Sequence, residues 1–208
     1  MQYLVRHLGL VLTLTAAHVL LVGSALAIAL VVAVPLAVVI TRNRRLEAPV
    51  LGVFGVTYTI PSLALFAFLI PVLGLGFWTA VVALAAYAQM ILIRNFSAAL
   101  LGVDAAAREA AYGMGMSRAQ TLWRVERPLA MPVAIAGVRL ATVSLIGIAT
   151  VAAWINAGGI GTLVLDGIEH DYPQKAVAGA LAAVALALAA DFALRRLERL
   201  YRRHLRAG

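Results

Sequence analysis

The chain has no cysteine among its 208 residues, which excludes disulfides, thiolate nucleophiles and thiolate metal sites. Charge is nearly as scarce: Asp, Glu, Lys and Arg make up 12% of the residues against 63% apolar. So little polar surface cannot clothe a soluble globule of this length, and the solvent must be lipid. Between Glu47 and Arg94 there is no charged residue at all, a run far longer than the roughly 20 residues that cross a bilayer. Such a run crosses twice, with Pro71-Val-Leu-Gly-Leu-Gly76 as the turn between the crossings. Acidic side chains are few, nine against seventeen basic ones. The basic residues nevertheless bracket apolar helices and form no soluble patch interleaved with aromatics, which argues against nucleic acid as a partner. Enzyme motifs are missing as well. There is no glycine-rich loop ending in Gly-Lys-Ser/Thr, no His-Glu-x-x-His and no nucleophile elbow. His7, His18, His170 and His204 are scattered without ligand spacing. Neither a catalytic residue, a metal site nor a bound cofactor is expected.

What remains is an all-α, polytopic membrane protein. Five transmembrane helices are expected at about 18–41, 50–72, 76–93, 132–155 and 175–194. Short loops rich in Lys and Arg stay in the cytoplasm. Arg42, Arg44 and Arg45, then Arg94, Arg108, Arg118, Arg124 and Arg127, then Arg195, Arg196, Arg199, Arg202, Arg203 and Arg206 fall on one side under five crossings. The other side holds Arg6, Lys175, Asp166, Glu169 and Asp171. This puts the N-terminus outside and the C-terminus inside a cell membrane. Residues 1–17 read as an interfacial segment, 18–194 as the transmembrane domain and 195–208 as a basic tail whose partner is membrane lipid. Ala25-Leu26-Ala27 mimics a signal-peptidase site, but the apolar stretch runs on to Ile40, which fits a membrane anchor better than a removable signal.

One stretch, Asp104 to Pro132, is polar and charged in a chain that is otherwise nearly all apolar. Asp104 is placed to cap a short helix through Glu109 and Tyr112, Gly113 and Gly115 to end it. Ser117 and Gln120 have capping-box spacing for a second helix, which Pro128 is expected to close. Short helices are marginal in water, so this helix, elbow and helix need a docking surface. The residues alone leave open whether that surface is the chain's own underside or a second protein.

Glu109-Ala110-Ala111, the offset to Gly115 and the ending Val125-Glu126-Arg127-Pro128 resemble the signature loop of ATP-binding-cassette importer permeases. Arg127 departs from that pattern, standing where the family has leucine. The resemblance implies a five-helix type I permease core. Residues 104–131 would form the coupling loop that sits in a cleft of a separate ATPase subunit, which binds the ATP and magnesium, and Asp104, Glu109, Ala110, Ala111, Gly113, Gly115 and Pro128 would carry the contact. It also implies a second permease subunit and an extracytoplasmic substrate-binding protein. Thr59-Ile-Pro61-Ser62 through Gly76, with Ala157-Gly158-Gly159-Ile160-Gly161, is similar to permeases for glycine betaine, choline and carnitine. Methionine permeases, with the same core, are the neighbouring alternative.

The same residues carry physical expectations of their own. Pro61 has no N–H for the carbonyl of Thr57, so a helix there kinks and needs an outside donor. Gly158, Gly159 and Gly161 allow a tight turn at the outer mouth. Tyr58, Pro61, Ser62, Trp154, Gly158 and Gly159 are candidates for the path or its gate, since aromatic faces attract a quaternary ammonium. Interfacial belts and core packing account for the aromatics better. Arg139 and Asp191 lie near the same membrane boundary and are able to pair. An ion-coupled carrier would need intramembrane carboxylates, and Asp191 is the single one available. A scaffold that merely recruits a soluble partner is the third reading.

Overall fold

The computed structural model describes Tyr3 and residues 6–207, with side chains as far as Arg203. The ends of the expected segments 1–17 and 195–208, with the side chains of His204 and Arg206, lie outside the described residues. Among the described residues the secondary structure is helical throughout.

Four long apolar helices form the frame. They are α1 (Leu8–Arg42), α4 (Phe77–Leu101), α6 (Arg118–Ala149) and α8 (Pro173–Ala207). Between the first two lie α2 (Glu47–Thr59) and α3 (Ser62–Leu73), a pair bent by 100° at Ile60-Pro61. Taken together the pair is long and apolar enough for a fifth span broken in the middle, or for a re-entrant loop. The break has a local cause: a residue before proline is pushed out of the helical region, and Ile60 is extended at φ −66°, ψ 129°. The sequence reading foresaw a kink within one helix at 50–72, and the structure makes it two helices.

The other boundaries shift for similar reasons. Helix α1 begins at Leu8 and runs through Gly9, so residues 8–17 of the segment set apart as 1–17 are its first turns. At about 1.5 Å per residue α1 is about 52 Å long, well over the about 30 Å of a hydrocarbon core. Helix α4 runs eight residues past 93 to Leu101, and the tail from 195 continues α8 as far as Ala207.

Helix α4 is the centre. Its Ala80, Ala83, Leu84, Ala88 and Leu92 are fully buried, and so are Leu21, Ala25, Ala29, Ala33 and Ala37 on α1. A small residue at every fourth position lets two backbones approach where lipid gives no hydrophobic drive for helices to associate. The Gln89 amide crosses this seam and donates to the Ala29 carbonyl at 3.2 Å. Helix α6 packs on the other side of α4, and α8 packs on α6. There Arg139 meets Asp191 at 3.2 Å and Glu198 at 3.3 Å, while Arg195 and Arg202 flank the two acids. The Arg139–Asp191 pair matches expectation, and Glu198 joins it because α8 continues past 194.

Candidate coupling segment and path residues

At one end of the bundle the polar stretch folds as α5 (Ala105–Gly113), an elbow, and the start of α6. The Asp104 carboxylate accepts from the Ala106 N–H at 3.0 Å and caps α5. At its other end Met116 N–H donates to Ala111 O and Gly115 N–H to Tyr112 O, the paired bonds of a Schellman turn. Such a turn needs a left-handed residue, and Gly115 supplies it at φ +78°. Gly113 is the last helical residue and has no such demand.

Ser117 and Gln120 form the expected capping box: Ser117 Oγ accepts from Gln120 N–H, and Gln120 Oε1 accepts from Ser117 N–H at 2.8 Å. Pro128 was expected to close the helix that follows and does not. A π turn over Leu122–Glu126 comes first, in which Arg127 N–H reaches back five residues to Leu122 O. The widened turn relieves the clash a proline ring makes with the carbonyl four residues back, so the helix passes through Pro128 and Pro132 into the membrane domain. The turn is tied down by Glu126, whose buried carboxylate takes both terminal nitrogens of Arg42, at 2.6 and 3.4 Å.

Helix α5 rests on the first turns of α6. Ala111 is only 1% exposed and faces that contact, so it fits the chain to itself. Glu109 and Ala110 face outward. So do Tyr112, Met114 and Trp123, at 43%, 69% and 61% exposure. Three apolar side chains thus stand exposed in a polar segment.

The path candidates fall into two groups. Tyr58, Pro61 and Ser62 gather at the break between α2 and α3. The Thr57 carbonyl, for which an outside donor was expected, takes the Ile60 N–H at 3.3 Å instead; the Ile60 carbonyl accepts from the Tyr87 hydroxyl on α4, and Tyr58 stands edge-on to the Tyr87 ring with centroids 6.0 Å apart. Trp154, Gly158 and Gly159 form the second group, in the 3-10 turn Val151–Ile155 and the loop after it, before α7 (Gly161–Glu169). Helix α3 packs against that 3-10 turn, which links the two groups. Tyr58 and Trp154 are 42% and 58% exposed.

The loop after Trp154 is locked. Gly158 and Gly159 take φ +77° and +81°, and His18, fully buried on α1, reaches between two elements. Its Nδ1 accepts from Ile160 N–H at 3.3 Å, so Nε2 carries the hydrogen and donates to Ile146 O at 3.1 Å. A Cβ on Gly159 would lie 2.8 Å from His18 Nδ1. Sequence reasoning passed over His18, since its partners are 128 and 142 positions away.

Comparison with known proteins agrees with this fold. The model of the binding-protein-dependent transport system inner membrane component family matches residues 25–203. The chain is similar to the osmoprotectant import permease protein OsmW of Salmonella typhimurium, 40% identical over 95% of this chain and 94% of that protein. It is 37% identical to the choline transport system permease protein OpuBB of Bacillus subtilis over 95% and 91% of the two chains. In structure it resembles a chain of the inward-facing MetNI methionine ABC transporter, with a TM-score of 0.82 and 22% identity over 93% of this chain and 97% of that one. That last likeness concerns the fold. The chain belongs to the inner membrane components of binding-protein-dependent transport systems, the permease subunits of ABC importers.

Proposed function

We propose that this chain is the permease through which an ABC importer carries osmoprotectants such as glycine betaine, choline or carnitine. Similarity across nearly the whole chain to permeases named for osmoprotectants and choline carries the substrate class. Two permease subunits, this chain with a copy or a homologue, enclose the path. A binding protein delivers the solute outside, and ATP and magnesium are held by separate ATPase subunits.

The outward face of α5 and its elbow is the dock for the ATPase. Glu109 offers an acceptor, Ala110 allows close approach, and Tyr112 and Met114 present apolar area. Asp104, Gly115 and the Glu126–Arg42 pair hold that face in shape. Force enters there and reaches α1 through Arg42 and the core through α6. Gly113 and Pro128 act within this unit as helix residues. Orientation follows the basic side chains, which gather at the α5 end and make it the cytoplasmic side, with the N-terminus outside. Away from α5, the exposed faces of Tyr58, beside the break at Pro61 and Ser62 midway along α4, and of Trp154, beside the turn at Gly158 and Gly159, attract a quaternary ammonium. Asp191, the carboxylate an ion-coupled carrier would have needed, is held by Arg139 and Arg195.

The test is uptake in vesicles holding this chain, the ATPase subunit and the binding protein. ATP-dependent accumulation of labelled betaine or choline, competed by carnitine and not by methionine, is the expected result. Accumulation without ATP, or competition by methionine alone, overturns the reading.

A further inference from the structure

Near the α5 end an apolar cleft of about 400 Å³ opens between α1, α4 and α6. Val34 and Val38 of α1, Phe96 of α4 and Ala134 of α6 line its walls, and Trp123 and Arg127 stand on its lining from the first turns of α6. Arg127 is the single charged residue among those that line it. Its guanidinium lies 5.0 Å from the centroid of the Trp123 ring, and among the described residues it has no carboxylate within ion-pair distance. The neighbouring Glu126 is committed to Arg42.

We propose that this cleft binds one acyl chain of an anionic phospholipid whose phosphate is held by Arg127. Water does not fill a cavity walled by hydrocarbon, because it needs two to four polar partners there. A cleft between membrane-crossing helices meets acyl chains instead. Trp123 belongs to the ring of residues that favour the headgroup level, and Arg127 beside it reaches the same level by snorkelling. A leucine at 127, the residue of the family pattern, would continue the apolar wall. The arginine gives that wall a cationic rim, and a guanidinium takes phosphate oxygens in a two-pronged hydrogen bond. Zwitterionic lipid answers this rim less well, since its own ammonium competes for the phosphate.

Tryptophan quenching by brominated acyl chains tests this directly. The full chain, purified with the subunits that accompany it, is placed in vesicles of dibromo-phosphatidylglycerol or dibromo-phosphatidylcholine diluted into unbrominated phosphatidylcholine. Trp123→Phe identifies the signal of Trp123 against those of Trp78 and Trp154. The anionic lipid should quench Trp123 at about fivefold lower mole fraction, the ratio expected from one cation at an anionic lipid surface. Arg127→Lys should keep the preference, and Arg127→Leu should abolish it while leaving quenching by both lipids. Equal quenching by the two lipids in the unaltered chain overturns the proposal, and so does a Trp123 that neither lipid quenches, which would mean that a protein subunit covers the cleft.

Discussion

Arg42, the last residue of α1, grips Glu126 in the π turn that opens α6, through two hydrogen bonds of 2.6 and 3.4 Å. The two partners are unequally buried: the Glu126 side chain is 4% exposed and that of Arg42 is 37%. Removing the arginine strands a carboxylate in the interior, whereas removing the acid leaves an arginine that still reaches water. Arg42→Gln should therefore cost about 3 kcal/mol and Glu126→Gln about 1 kcal/mol. Thermal unfolding of the two variants in the same detergent gives the order, and equal losses would deny the asymmetry.

His18 predicts a ranking of glycines. Gly158 and Gly159 both hold positive φ, so alanine strains either by about 1 kcal/mol. At Gly159 the added Cβ also meets the His18 ring, while at Gly158 it meets open space. Gly159→Ala should lower thermal stability clearly more than Gly158→Ala. His18→Leu should cost about 2 kcal/mol, by leaving Ile160 N–H and Ile146 O unpaired in the interior.

The break at Ile60-Pro61 depends on the missing N–H and on the restricted residue before proline. Pro61→Ala lifts both constraints, and α2 and α3 should straighten toward one helix. Spin labels at the exposed positions Val53 and Phe68 would report a longer distance by pulsed EPR. Tyr87→Phe, which removes the donor to Ile60 O, should loosen the break and broaden the distance distribution.

Arg139 serves two acids, so its loss should exceed the loss of either one. Arg139→Ala leaves both Asp191 and Glu198 without it and should destabilise by about 3 kcal/mol. Asp191→Asn retains the Glu198 contact and should cost less than half of that in the same unfolding assay.

These cases mark what a linear reading reaches. The caps at Asp104 and Ser117 and the elbow at Gly115 were legible because each is completed within five residues by backbone hydrogen bonds. The Arg139–Asp191 pair was legible because two charges inside apolar spans have few places to go. The passage of α6 through Pro128 was not, since the π turn that accommodates it has no residue signature of its own. The motif offers Ala110 and Ala111 alike, and which of them faces outward on a nine-residue helix depends on where that helix lies. His18, Glu126 and Glu198 act across helices, and spacing along the chain says nothing of that.

The central claim is that α5 is gripped by an ATPase subunit, and the absence of cysteine makes it directly measurable. Ala110→Cys, on the outward face of α5, should crosslink to a cysteine placed in the docking cleft of the ATPase, in vesicles that still take up substrate. A cysteine at Trp78, exposed at the opposite end of the bundle, should not. Active vesicles in which position 110 never crosslinks and reacts freely with a soluble maleimide throughout turnover would contradict the account.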